Sequence, residues 1–243
     1  MLDERRASIL QAVIRDFILT GVPVSSERLY KKYRFPVKPA TIRNELAFLE
    51  EGDFLEQLHT SGGRVPTDKG YQFLVEQILK GGIDQLFGVL AEEFSLLEEE
   101  FRDRELKGFI QGFSNEFKVL GAGYVGEDEE TQVTYKSGLD DLIRELGLID
   151  SRDLLPIIED VERLDDRIFE LREWVEGTEP RVFIGKSPVT KSNQLSIVAQ
   201  TFAWDEDSFL LVAIGPKRMN YQQVISCFKK LGVDMKKQSS RKK

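Results

Sequence analysis

Arg43 and Asn44 carry the side chains best suited to reading another molecule, and the spacing around them says how. In the stretch PATIRNELAFLEE, Ile42, Leu46 and Leu49 recur at i, i+4 and i+7, as the buried stripe of a helix does. At about 100° per residue the opposite face holds Ala40, Asn44, Ala47 and Glu51, flanked by Thr41, Arg43 and Phe48. An asparagine amide pairs bidentately with adenine, an arginine reaches guanine or phosphate, and Thr41 or Ala40 can meet a thymine methyl. Around this face residues 25–44 hold Arg28, Lys31, Lys32, Arg34, Lys38 and Arg43 against Glu27 alone. Further on, Leu58-His59-Thr60-Ser61-Gly62-Gly63-Arg64 reads as a hairpin turn with His59 and Arg64 near its tip, where Thr60, Ser61 and Arg64 can meet phosphate or the minor groove. The candidate DNA-binding set is therefore Arg28, Lys31, Lys32, Lys38, Ala40, Thr41, Arg43, Asn44, Ala47, His59, Thr60, Ser61 and Arg64. The same pattern has a plainer reading, because three-helix units and Gly-Gly turns also occur in proteins that bind no DNA.

The elements that must position these residues follow from caps and breakers. Asp3 caps a helix whose apolar residues are Ile9, Leu10, Val13, Ile14, Phe17 and Ile18, and Gly21 stops it. Val22-Pro23-Val24 is extended, and Ser25 or Ser26 caps a short helix to Tyr33 with Leu29 and Tyr30 turned inward. Pro36 forbids continuation, Pro39 suits the first turn of the third helix, and Gly52 ends it. Phe54–Gln57 and Val65 flank the hairpin, and Thr67 caps a fourth helix to Leu79. A long helix, a short helix, a tight turn, a helix with a small polar face and then a hairpin is the order of a winged helix-turn-helix.

Charge must be read by segment. The total of −8 argues against a polyanionic partner, yet residues 1–80 sum to +1, residues 81–180 to −17 and residues 181–243 to +8. Charges beyond a Debye length of about 8–10 Å are largely screened, so an acidic remainder does not veto a basic head. The single cysteine, Cys227, excludes an internal disulfide, and the single histidine, His59, excludes a multi-histidine metal site. No apolar run reaches the roughly 18–20 residues that span a membrane, and MLDERRASILQ lacks the features of a signal peptide; a cytoplasmic protein is expected.

VPVSSERL, PATIRNELAFLEEGDFL and QLHTSGGRVPTDKGYQFLVEQIL closely resemble the amino-terminal domain of the heat-inducible transcription repressor HrcA family. RVFIGKSP and AIGPKRMNY resemble that family's later signature stretches, within a weaker match over about residues 134–231. The resemblance implies a homodimeric repressor of heat-shock and chaperone genes, bound to an inverted-repeat (CIRCE-type) operator on double-stranded DNA and supported by chaperonin. It also implies a GAF-like domain with an inserted dimerisation domain. Lys38 stands where the family usually has Ser or Thr, which removes a helix cap. The chain is shorter than typical members, with no recognisable counterpart of the first half of the GAF-like domain, nor of the inserted domain, between Leu79 and Val133.

Beyond residue 80, residues 83–118 read as nearly continuous helix, with an apolar stripe through Leu90, Phe94, Leu97 and Phe101 that suits a linker, a dimer contact or packing on its own domain. Strands are expected at 119–125, 131–135, 181–184, 195–203 and 209–214, and helices at 139–146, 152–174 and 221–231. Asp140-Asp141, Asp165-Asp166 and Glu127–Glu130 read as solvated charge, and the basic tail 236–243 as a solvated end. Gly121-Ala122-Gly123 lacks the third glycine of a dinucleotide loop, and Gly185-Lys186-Ser187 lacks the upstream glycine of a P-loop, so no enzyme, metal or cofactor is expected. The expected fold is α+β: a winged helix-turn-helix domain (1–80), linker or dimerisation helices (81–118), a reduced GAF-like α/β domain (119–235) and the tail. The expected function is sequence-specific repression; the alternative is a protein-interaction or chaperone-sensing module that uses the winged helix for docking.

Overall fold

The computed structural model describes residues 2–58, 62–81, 93–126, 133–147, 151–175, 177, 179–204 and 207–241. Its contacts divide the chain into two compact units, residues 1–82 and 83–243.

In the first unit, α1 (Glu4–Thr20) starts where the Asp3 side chain accepts the Arg6 amide at 2.9 Å, and ends at Gly21 in the left-handed region. Ser25 caps α2 (Ser26–Tyr33) by accepting from the Arg28 amide, and Arg34 at φ 50° closes it. Pro39 opens α3 (Pro39–Glu51), and Lys38 at its N-cap gives no side-chain hydrogen bond. Strands β1 (Leu55–Glu56) and β2 (Val65–Pro66) pair antiparallel and lead into α4 (Asp68–Leu79), capped by Thr67. Ile9, Val13, Leu29, Ile42, Leu46, Leu49 and Leu74 fill the core between these helices. Tyr30, expected inward, is 43% exposed, because an eight-residue helix brings Leu29 to the core and turns its neighbour away.

One carboxylate locks α1 to α2. Asp16 falls at the third place of the buried series Ile9, Val13, Asp16 and has no exposed side-chain surface. It accepts from Arg28 Nε and, at 2.6 Å, from Lys32 Nζ, both on α2. Burial pushes its carboxyl pKa upward, but the hydrogen bonds and charges of Arg28 and Lys32 outweigh that and hold it below the ordinary value.

The second unit is a five-stranded antiparallel sheet in the order β4-β3-β7-β6-β5, from β3 (Leu120–Val125), β4 (Val133–Ser137), β5 (Arg181–Ile184), β6 (Leu195–Trp204) and β7 (Asp207–Pro216). The helices around it are α5 (Glu93–Arg102), α6 (Leu106–Phe117), α7 (Leu139–Leu146), α8 (Ser151–Glu162), α9 (Leu164–Trp174) and α10 (Tyr221–Arg241). Where one helix was expected over 83–118, the described part is two, broken at Arg104 (φ 61°). The break lets α5 and α6 pack together, with the Phe101 and Phe109 ring centroids 5.0 Å apart. Phe101, Phe109, Phe113, Phe117, Phe202, Phe209 and Phe228 join in one aromatic layer among α5, α6, α10 and the sheet. Leu97 and Phe101 are buried there and belong to this core rather than to a dimer stripe; Leu90 and the side chain of Phe94 lie outside what is described.

Gly121 and Gly123 let α6 approach the sheet. A Cβ on Gly123 would stand 2.7 Å from the Phe209 ring and 2.9 Å from Ile110, and one on Gly121 2.6 Å from Ser114 Oγ. The opposite face is covered by Ile157, Val161, Leu164, Ile168, Leu171 and Val175, whose alternating spacing of four and three runs through the break at Arg163. The expected single helix over 152–174 is thus two helices sharing one buried stripe. Asp141, expected as solvated charge, is buried at 5% beside Lys118 and Arg144, and residues 236–241, expected as a loose end, continue α10.

Two stability predictions follow from these contacts. Gly123→Ala is expected to cost about 1–3 kcal/mol through overpacking, measured by urea unfolding. Arg28→Ala with Lys32→Ala, which strands a buried carboxylate, should lower the unfolding midpoint more than Asp16→Asn, which removes the charge itself. Because the folded pKa of Asp16 is depressed, its stabilisation is present above about pH 4 and is lost as pH falls through the folded value. Unfolding titrations should therefore show a steeper acid loss in the natural chain than in Asp16→Asn.

Candidate nucleic-acid interface

Helix α3 presents its polar face as the spacing predicts. Ile42, Leu46 and Leu49 are buried, while Ala40, Arg43, Asn44, Phe48 and Glu51 are exposed, and Thr41 and Ala47 are half-buried beside them. Neither Arg43 nor Asn44 makes a side-chain hydrogen bond or ion pair among the described residues. Phe48 is covered by the Arg6 guanidinium of α1, 3.7 Å from the ring centroid.

The structure sorts the basic candidates into two kinds. Arg28 and Lys32 are held by Asp16, whose hydrogen bonds raise the pKa of each. Arg64 is not at a hairpin tip. It lies at the base, where its backbone exchanges hydrogen bonds with Val24 (2.8 and 2.9 Å) and its Nε donates to Glu50 of α3 at 2.8 Å. Lys31 and Lys38 are exposed, with no partner among the described residues. His59, Thr60 and Ser61 lie outside the described residues.

Three acids missed by sequence reasoning organise this surface. Glu45, on α3, is buried at 6% and bound by Arg5 (2.6 Å) and Arg6 (2.8 Å) of α1. Glu50 takes Arg64, and Asp16 takes Arg28 and Lys32. Two of them could have been suspected, since Asp16 follows Ile9 and Val13 and Glu45 sits between Ile42 and Leu49, both at helical spacing. Each locks one element to another and consumes positive charge that composition assigns to a partner.

Between the start of α2, the side of α3 and the hairpin lies a groove of about 450 Å³, lined among others by Ser25, Ser26, Glu27, Arg43, Gly62 and Gly63. The hairpin backbone presses on its neighbour there, for a Cβ on Gly63 would stand 2.6 Å from the Pro23 and Val24 backbone.

In the second unit a buried carboxylate holds the loop between β5 and β6. Asp160 on α8, buried at 2%, accepts from the backbone amides of Lys191 (2.8 and 2.9 Å) and Ser192 (2.8 Å) and from Arg167 at 2.9 Å. The loop after Gly185-Lys186-Ser187 thus closes around the protein's own carboxylate. Among the described residues, no group of three or more His, Cys, Asp or Glu could hold a metal ion, and no helix is long and apolar enough to cross a membrane. Cys227 is buried, which pushes its thiol pKa well above the usual range.

Similarity to known proteins covers both units. The family model for the HrcA protein C terminal domain matches residues 73–225, starting well before residue 134 and running through the stretch where no counterpart of the first half of the GAF-like domain was expected. Over 79 residues the chain is 57% identical to the heat-inducible transcription repressor HrcA of Chloroflexus aggregans (strain MD-66 / DSM 9485), a match covering 32% of this chain and 21% of that protein. It is 41% identical over 120 residues to the protein of the same name from Pelotomaculum thermopropionicum (strain DSM 13744 / JCM 10971 / SI), covering 49% and 32%. These matches span about a fifth to a third of the curated relatives' length. A solved structure described as "Crystal structure of a hypothetical protein at 2.2 A resolution" superposes with a TM-score of 0.75 over 98% of both chains at 16% identity, a likeness of fold alone. With more than half of its length matched by the family's own domain, the chain belongs to the HrcA family.

Proposed function

We propose that this chain is a sequence-specific repressor of heat-shock genes that binds double-stranded DNA. In this reading residues 1–80 are a winged helix-turn-helix, with α3 entering the major groove and β1–β2 as the wing; the second unit is a reduced GAF-like domain. One observation carries the proposal: Arg43 and Asn44 stand exposed and unpaired on the outer face of α3, while Asp16, Glu45 and Glu50 are bound by cations. A small polar face that offers an unpaired arginine and an unpaired asparagine has the chemistry of base reading. The relatives' name, heat-inducible transcription repressor, supports the choice of target genes.

A single recognition helix covers one half-site, so a CIRCE-type inverted repeat calls for two chains related by a two-fold axis. Since Leu97 and Phe101 are buried, that pairing must use other residues. Chaperonin as a modulating partner follows from the family resemblance alone.

The test is a gel-shift titration of the full chain on inverted-repeat duplexes from upstream of chaperone genes, against a scrambled duplex. Asn44→Ala and Arg43→Ala should each weaken repeat binding by about 1–3 kcal/mol with unfolding midpoints unchanged. Lys31→Ala should weaken both duplexes equally and lower the slope of log K against log salt by about 1. Lys32→Ala is the poorer probe, because it also uncovers Asp16. Light scattering of the saturated complex should give two chains per repeat. Equal affinity for repeat and scrambled duplexes would overturn the reading.

A further inference from the structure

We infer that the groove between α2, α3 and the hairpin seats one backbone phosphodiester of a bound DNA strand, with the Ser26 hydroxyl as a donor to it. The inference rests on the DNA-binding reading above and assigns one atom-level contact within it. Ser26 lines the groove and is only 5% exposed, yet its hydroxyl makes no hydrogen bond among the described residues. Its donor is unspent, so an incoming acceptor gains a hydrogen bond without breaking one inside the protein. Around it the donors converge from separate elements. Ser26 opens α2, so its amide and that of Glu27 stand at the positive end of the helix, while the Ser25 side chain is spent on the Arg28 amide. Arg43 reaches the groove from α3 with no ion pair of its own, whereas the charge of Arg64 is taken by Glu50. The facing wall includes the backbone at Gly63, pressed on Pro23 and Val24.

Donors meeting at a helix start fit the tetrahedral oxygens of a phosphate better than a flat base edge. Glu27, the acidic residue of this lining, is exposed and sets the charge preference. Beside it a singly charged phosphodiester, anchored by the rest of the duplex, is tolerated far better than free dianionic phosphate.

The experiment uses the full chain and compares natural protein, Ser26→Ala, Ser26→Asp and Glu27→Gln on repeat and scrambled duplexes, with inorganic phosphate as competitor. An acid at the first helical position favours the helix, so Ser26→Asp is expected to keep its unfolding midpoint. It should bind both duplexes about tenfold or more weakly, Ser26→Ala a few fold more weakly, and Glu27→Gln a few fold more tightly. Should Ser26→Asp unfold, Ser26→Ala decides on duplexes neutralised one phosphate at a time by methylphosphonate: one position should weaken the natural chain by a larger factor than it weakens Ser26→Ala. Natural chain that binds the repeat while Ser26→Asp, or Ser26→Ala in the methylphosphonate scan, behaves identically overturns the phosphate seat and leaves the DNA reading standing. Natural chain that binds neither duplex overturns both. Displacement of the duplex by inorganic phosphate at constant ionic strength, lost in Ser26→Asp, would make the groove a free-phosphate site and overturn the assignment to DNA.

Discussion

The buried Asp16 carboxylate is the constraint on which the amino-terminal unit depends. A charge with no exposed surface must be paired, and it draws Arg28 and Lys32 from α2 onto α1. That fixes α2, whose first turn forms one wall of the groove and whose end sets up the turn into α3. It also spends two cations that stand in the sequence as phosphate contacts. Glu45 and Glu50 repeat the device, tying α3 to α1 and to the hairpin. The basic head is basic by composition, yet its unpaired charge is concentrated on fewer residues, Arg43, Lys31 and Lys38 among them. Long-range attraction still counts every cation, whereas short-range contact is left to those whose hydrogen-bonding capacity is unspent.

The second unit is organised by apolar packing on both faces of one antiparallel sheet. Phenylalanines fill one face because α6 can approach closely over Gly121 and Gly123, and rings offset at about 5–6.5 Å fill the remaining space. The other face is met by α8 and α9, whose shared stripe treats the break at Arg163 as a bend in one buried surface. Asp160 then pins the loop between β5 and β6 by accepting from the backbone amides of Lys191 and Ser192.

Local signals were legible because they depend on neighbours in the chain. Asp3, Ser25 and Thr67 cap the helices they precede, Pro39 opens α3, and Gly21 ends α1. Ile42, Leu46 and Leu49 face the core because a helical period leaves them no other common side. The strands of the second unit were likewise readable from their apolar runs, to within a residue or two at their ends.

By itself, then, the sequence determined the order of elements, the buried and polar faces of α3, the α+β class and, through its motifs, the family. Only the tertiary structure decided which charges are spent, where Arg64 lies, that Leu97 and Phe101 are core, and that Asp141 is buried. The physical reason is range. Caps, breakers and helical period act within a few residues, whereas Asp16 meets Arg28 and Lys32, and Glu45 meets Arg5 and Arg6, only after folding brings separate helices within hydrogen-bonding distance. Ser26 belongs to the same class: its place at the first helical turn is local, but the groove it lines forms only where the hairpin and α3 come beside that turn.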